Sequence, residues 1–119
     1  MTKVYGPYSP YRESNGLVFV SGQVGIAPGA EDAAKDVADQ TTQAMQNLIK
    51  VLEEANLELK DIVKTTIYLT NMADYKAVNE VYMGYFYEEK PARATVGVDE
   101  LPRLGKIPLL IEIEAIASR

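Results

Sequence analysis

The amino-acid sequence predicts an α+β domain, a mixed β-sheet with two α-helices packed on one face. Two stretches carry apolar residues at helical spacing along one side only, and four others alternate or run apolar in the manner of strands. With 119 residues the chain is long enough for one domain of ordinary size. No repeat, low-complexity tract or linker divides residues 1–119, so a single domain is expected.

The elements follow in order. Pro7–Pro10 and Ala27–Ala34 carry the Gly and Pro punctuation of loops. Leu17–Ser21 is a short apolar run rich in Val and Phe, closed by Gly22, and reads as a buried strand. From about Ala34 to Ala55, the residues Val37, Ala44, Leu48, Val51 and Ala55 recur at spacings of 3, 4 or 7, an amphipathic helix. Asn56 suits the left-handed conformation that ends one. Ile62–Thr70 alternates, with Val63, Thr65, Ile67 and Leu69 on one face and Lys64, Thr66, Tyr68 and Thr70 on the other. Asn71 or Asp74 is placed to cap a second helix running to about Glu88, with Tyr75, Val78, Tyr82 and Tyr85 along one stripe. Ala92–Val98 is strand-like, and Leu109–Ala117 alternates Ile111, Ile113, Ala115 and Ala117 against Leu110, Glu112, Glu114 and Ile116.

Each helix has one apolar stripe to bury, so both belong on the same sheet face. The other face then carries Tyr68, Leu110 and Ile116 among charges, with no third helix to shield it. Self-association is the expected cover.

Composition narrows the chemistry. The chain has no Cys, His or Trp. That excludes a thiol nucleophile, an imidazole acid–base, a Ser-His-Asp triad, and any cysteine- or histidine-held metal. Catalysis must draw on Asp, Glu, Lys, Arg, Tyr, Ser, Thr or the backbone. Twelve basic against seventeen acidic side chains give a net charge of −5, with the cations scattered, which argues against nucleic acid as the main partner. The first residues lack the apolar core of a signal peptide, and no apolar run approaches the ~20 residues that span a bilayer. A cytoplasmic protein with no membrane contact is expected.

Several residues can carry chemistry. Arg93, just inside a strand, offers a rigid guanidinium fork that matches a carboxylate; alternatively its stem simply covers apolar neighbours. Glu112 and Glu114 share one strand face, either as an acid–base pair or as the polar side of a half-exposed strand, and spacing does not say which of them acts. Ser21-Gly22-Gln23 permits close backbone approach to a ligand or ends a strand. Gly6-Pro7-Tyr8 fixes a tyrosine or makes a bend. The tyrosines of the second helix read as core or interface anchors.

Taken in order, these pieces closely resemble the YjgF/RidA family of small deaminases. The blocks are Gly6-Pro7-Tyr8, Val20-Ser21-Gly22-Gln23, Asp61-Ile62-Val63-Lys64-Thr65-Thr66 and Val78-Asn79-Glu80-Val81-Tyr82. They continue as Pro91-Ala92-Arg93-Ala94-Thr95-Val96-Gly97-Val98, Leu101-Pro102 and Ile111-Glu112-Ile113-Glu114-Ala115-Ile116-Ala117. The resemblance implies a chorismate-mutase-like fold and a homotrimer with clefts between subunits. It also implies hydrolysis of enamines and imines such as 2-aminoacrylate to 2-keto acids and ammonia, without cofactor or metal. Pyridoxal-phosphate-dependent dehydratases would supply these substrates. On the same basis, Arg93 holds the substrate carboxylate and Glu112 orients or activates water. Tyr8, Ser21, Gly22 and Asn79 line the cleft, and Thr95 stands where many relatives have Cys. Two readings compete with this one: a regulatory trimer that binds small carboxylates without turnover, and the RNA cleavage or translation inhibition described for some members of the family it resembles. One departure stands out. Arg103–Leu110, eight residues between Leu101-Pro102 and the last strand, is longer than the family pattern and apolar. It is placed to extend a subunit contact or narrow the cleft mouth.

Overall fold

The computed structural model describes residues 2–119. Its elements are β1 (Tyr11–Ser14), β2 (Leu17–Val24), α1 (Val37–Glu54), β3 (Ile62–Leu69), α2 (Tyr75–Tyr82), β4 (Ala92–Gly97) and β5 (Ile111–Ser118). They build one five-stranded sheet in the order β1-β2-β5-β3-β4. Every neighbouring pair is antiparallel except β3–β4, which is parallel and joined through α2, the crossover that parallel strands require. Both helices pack on one face, as predicted.

Strand β1 has no counterpart in the sequence-based expectation. It forms a hairpin with β2 around Asn15-Gly16, both in the left-handed region at φ 53° and 79°. That is the backbone of a two-residue hairpin turn, for which Asn-Gly is the favoured pair. Strand β2 is also longer than predicted. It continues past Gly22 to Val24 because a register shift between Val20 and Gln23 absorbs Ser21 and Gly22 without ending the pairing to β5.

Helix α1 starts three residues later than the periodicity suggests, because Asp36 caps it by accepting a 2.8 Å bond from the Asp39 N–H. It ends as expected. Asn56 sits at φ 60°, and the N–H groups of Asn56 and Leu57 bond back to the carbonyls of Glu53 (3.0 Å) and Leu52 (2.8 Å), completing a left-handed cap. Ala44, Met45, Leu48, Val51 and Leu52 form its buried stripe.

Two further expectations need correction. Val63 is 47% exposed while Ile62 is buried, because the β3–β5 register shifts between Ile62 and Lys64 and reverses the alternation at that point. Helix α2 is short, passing into a 3₁₀ turn over Met83–Tyr85 that contains Gly84, so the regular helix stops at Tyr82 and not near Glu88. At its start, Asn71 caps a preceding 3₁₀ turn by accepting from Ala73 N–H at 2.9 Å, whereas Asp74 makes no side-chain cap bond.

The main core joins the α1 stripe and Val78 and Tyr82 of α2 to Val18, Val20, Ile67, Leu69, Ile111, Ile113, Ala115 and Ala117 of the sheet. A smaller core of Val24, Ile26, Ala33 and Leu109 lies under the segment leading into β5, with Leu101, Leu104 and Ile107 packed against it. The opposite sheet face is open: Leu17, Phe19 and Val96 are exposed on it, and Ile116 is half-buried.

Candidate active site

Arg93 lies on β4, an edge strand, in register with Thr65 of β3. Its side chain turns toward α2. Nη2 donates to Asn79 Oδ1 at 2.7 Å and to the Tyr75 hydroxyl at 3.3 Å. The guanidinium carbon lies 4.9 Å from the centre of the Tyr82 ring and 5.6 Å from that of Tyr75. Tyr82 is held in turn by a buried 2.8 Å hydroxyl–hydroxyl bond with Thr65. The amide of Asn79, and then the Arg93 charge, bring the Tyr75 phenol below its ordinary pKa. No ion pair among the described residues involves Arg93. Its charge is oriented by neutral groups and left uncompensated. Two residues along the same face, the Thr95 hydroxyl is buried without a hydrogen-bond partner.

Glu112 occupies a second location. It pairs with Tyr68 on β3 and Val24 on β2, and its carboxylate lies directly over Gly22. A Cβ on Gly22 would fall 2.2 Å from Glu112 Oε2, so only glycine leaves the carboxylate this place. Burial first, and the charge of Glu114 second, raise the Glu112 pKa above its ordinary value. Glu114 is engaged elsewhere, accepting a hydrogen bond from the Tyr68 hydroxyl. That bond, with some burial and the two carboxylates nearby, pushes the Tyr68 phenol up to about 12. The two glutamates, equivalent by spacing, are therefore not equivalent in the fold.

Glu112 opens into a cleft of about 460 Å³ that is also lined by Tyr8, Gly22, Gln23, Asn47, Pro102 and Leu104. Tyr8 is half-exposed there, its hydroxyl 3.4 Å from the Tyr5 N–H. Ser21 does not line this cleft. Its hydroxyl donates to the Ser9 carbonyl at 2.6 Å and its N–H to the Pro10 carbonyl at 3.0 Å, which fastens the Tyr8 loop to β2.

The two locations lie on opposite faces of the sheet. Residues that pair across strands share a face, and Arg93 pairs with Thr65, which pairs with Ala115, both buried beneath the helices. Glu112 is an odd number of positions from Ala115, so it projects from the open face beside Tyr68. Of the residues singled out from the sequence, Arg93, Asn79 and Thr95 gather on one side, and Glu112, Gly22 and Tyr8 on the other.

Sequence reasoning missed Tyr75 and Tyr82 as neighbours of Arg93, and Tyr68 as the partner of Glu114. The spacing of Tyr75, Asn79 and Tyr82, four and then three residues apart, was the available signal, since it puts all three on one helix face.

Comparison with known proteins assigns the chain to a family. A family model described as Endoribonuclease L-PSP matches residues 2–119. The chain belongs to the YjgF/RidA family. A RutC family protein from Pyrococcus horikoshii is 44% identical over 118 residues, covering 98% of this chain and 90% of the relative. The mouse protein named 2-iminobutanoate/2-iminopropanoate deaminase is 39% identical over 113 residues, 94% of this chain and 81% of that one. Among solved structures, RidA from an Antarctic Psychrobacter superposes with a TM-score of 0.91 at 32% identity, covering 98% of this chain and 92% of the other. Escherichia coli TdcF with bound serine superposes with a TM-score of 0.89 at 34% identity, covering 98% and 91%. The YjgF/RidA family thus contains reactive intermediate deaminases as well as members described as endoribonucleases, and the fold expected from the sequence is the family's. Among the described residues, no helix is long and apolar enough to cross a membrane.

Proposed function

We propose that this chain hydrolyses reactive enamine and imine intermediates of the 2-aminoacrylate type, acting as a homotrimer whose sites lie between subunits. The observation that carries the reading is Arg93: a strand-held cation without an ion-pair partner among the described residues, one nitrogen bound to Asn79 and Tyr75 and the rest of its fork uncommitted. A planar fork in that state suits a small carboxylate. The deaminase names of two relatives, 39% and 42% identical, and the serine bound to TdcF point to the same ligand class.

In the reaction, the enamine tautomerises to the imine, and water adds to the imine carbon to give a carbinolamine. Its collapse releases ammonia and leaves the 2-keto acid. Arg93 fixes the carboxylate, and with it the reacting carbon, a positioning effect. Glu112, ionised, accepts the proton from the attacking water and returns it to the departing nitrogen. Such proton transfer contributes typically ~10²–10⁴-fold. Burial favours this cycle, since a carboxylate with a raised pKa is a better base once ionised.

A molecule as small as 2-aminoacrylate does not span both faces of one sheet. Arg93 of one subunit must therefore meet Glu112 of another, and the open face bearing Phe19, Val96 and Ile116 is the surface such packing would cover. A pyridoxal-phosphate-dependent dehydratase acting on serine supplies the substrate for the test. With wild-type protein, pyruvate formation should exceed the spontaneous rate; with Arg93→Ala it should fall to that rate. Equal acceleration by both proteins would reject the assignment.

A further inference from the structure

The segment between β4 and β5 carries no helix or strand, yet in the fold it is held down along its length. The Lys106 N–H donates to Asp32 Oδ1 at 2.6 Å. Gln40, fully buried on α1, donates to the Pro108 carbonyl at 3.0 Å and accepts from the Leu110 N–H at 2.8 Å. Gly105 has φ +75°, and a Cβ there would come within 2.4 Å of the Glu31 carbonyl oxygen, so the close approach to the 26–33 loop depends on glycine. Leu104 packs against the small core that includes Val24 and Ile26. This is a fixed wall, and its inner side, Pro102 and Leu104, lines the same cleft as Glu112.

Resting on the imine-hydrolase reading, we propose that Leu104 is a specificity-determining residue that contacts the substrate's side chain, so that the favoured substrates are 2-imino acids with an apolar side chain larger than methyl. Three features support this. The cleft of about 460 Å³ lies in the ~300–1,000 Å³ range that accommodates ligands far heavier than a three-carbon acid. Outside the N-terminal segment, its amide and charged side chains are Gln23, Asn47, Lys50, Glu54 and Glu112, all on β2, α1 and β5, whereas the 102–104 wall presents Pro102 and Leu104. A wall fixed before binding is paid for in the folded chain, so apolar contact with it goes into affinity without a further ordering cost.

The experiment compares kcat/KM for imines made in situ from L-leucine and L-alanine by an amino-acid oxidase, with catalase present and semicarbazide trapping the unreacted imine. Wild type should favour the leucine-derived imine by about tenfold or more, the discrimination that extra methylenes give in an apolar pocket. Leu104→Ala removes the wall and Leu104→Trp fills the cleft, and each should shrink that ratio by at least about threefold. Arg103→Ala, on the same segment but exposed and paired with Glu100 at 3.1 Å, should leave the ratio unchanged. Thermal melts establish which variants are folded; if only one Leu104 variant folds, its ratio decides. A wild-type ratio at or below one, or a ratio unmoved by the folded Leu104 variants, overturns the role of Leu104. Hydrolysis of neither imine by wild type overturns the underlying activity, and this inference with it.

Discussion

Replacing Gly22 with alanine would place a Cβ 2.2 Å from Glu112 Oε2, 2.6 Å from Cδ and 2.9 Å from Cγ. Ordinary contact begins near 3.4 Å, so the carboxylate must retreat by about 1.2 Å. Gly22 is not among the residues with positive φ, so alanine fits its backbone and the strain falls on the Glu112 side chain. A side chain pushed off its preferred rotamer costs about 0.5–1.5 kcal/mol, a shift of a few degrees in melting temperature for a domain of this size. Catalysis is more sensitive, because misplacing a reacting group by ~1 Å can cost about 10²-fold. The dehydratase-coupled assay should therefore show Gly22→Ala folded, melting within a few degrees of wild type, and slower by about two orders of magnitude. A folded variant with activity within twofold of wild type would refute the placement of Glu112 at the reacting atoms.

Arg93→Lys keeps the charge but loses the planar fork, and kcat/KM for 2-aminoacrylate should drop about ten- to a hundredfold, the worth of one charge-assisted hydrogen bond of about 1.5–3 kcal/mol; an unchanged value would contradict bidentate capture. Activity should be lost as pH falls through a Glu112 pKa raised above 4.5, and Glu114→Gln, by removing the nearby charge, should move that acid limb to lower pH. For stability the sign is the reverse of a salt-bridged carboxylate. The folded-state pKa lies above the unfolded value, so burial of ionised Glu112 is unfavourable, a cost absent below 4.5 that grows as pH rises through the raised pKa. Glu112→Gln should thus gain thermal stability relative to wild type above that window and not below it; an equal offset at every pH would contradict the burial. Light scattering should give a mass near three chains for wild type, and Phe19→Glu, placing a charge on the open sheet face, should give smaller species; a wild-type monomer would remove the basis for shared sites.

The fold was largely legible because each helix has a single apolar stripe, which leaves one way to pack both on a sheet. The errors have local causes. Strict alternation puts Val63 inward, but the register slips by one residue across Ile62–Lys64 and turns it out. Strand β1 carries a turn signal in Asn15-Gly16, but Tyr11–Ser14 is too polar to stand out by hydrophobicity. At the site, residue types single out Arg93 and the pair Glu112 and Glu114, and only the family resemblance prefers Glu112; a sequence does not say which sheet face a strand residue takes until pairing is known. That is why the separation of the two groups, the engagement of Ser21 with the Ser9 carbonyl and the Tyr75–Arg93–Tyr82 stack emerged only from the structure.

The central claim, that a site draws Arg93 from one chain and Glu112 from another, is tested most directly by complementation. Arg93→Ala and Glu112→Gln should each be inactive alone. When the two are co-expressed in equal amounts and assemble at random, a site has an even chance of an intact Arg93 and an independent even chance of an intact Glu112. Imine hydrolysis should then return to about a quarter of the wild-type rate. Activity no higher in the mixed assemblies than in either variant alone would contradict the shared site.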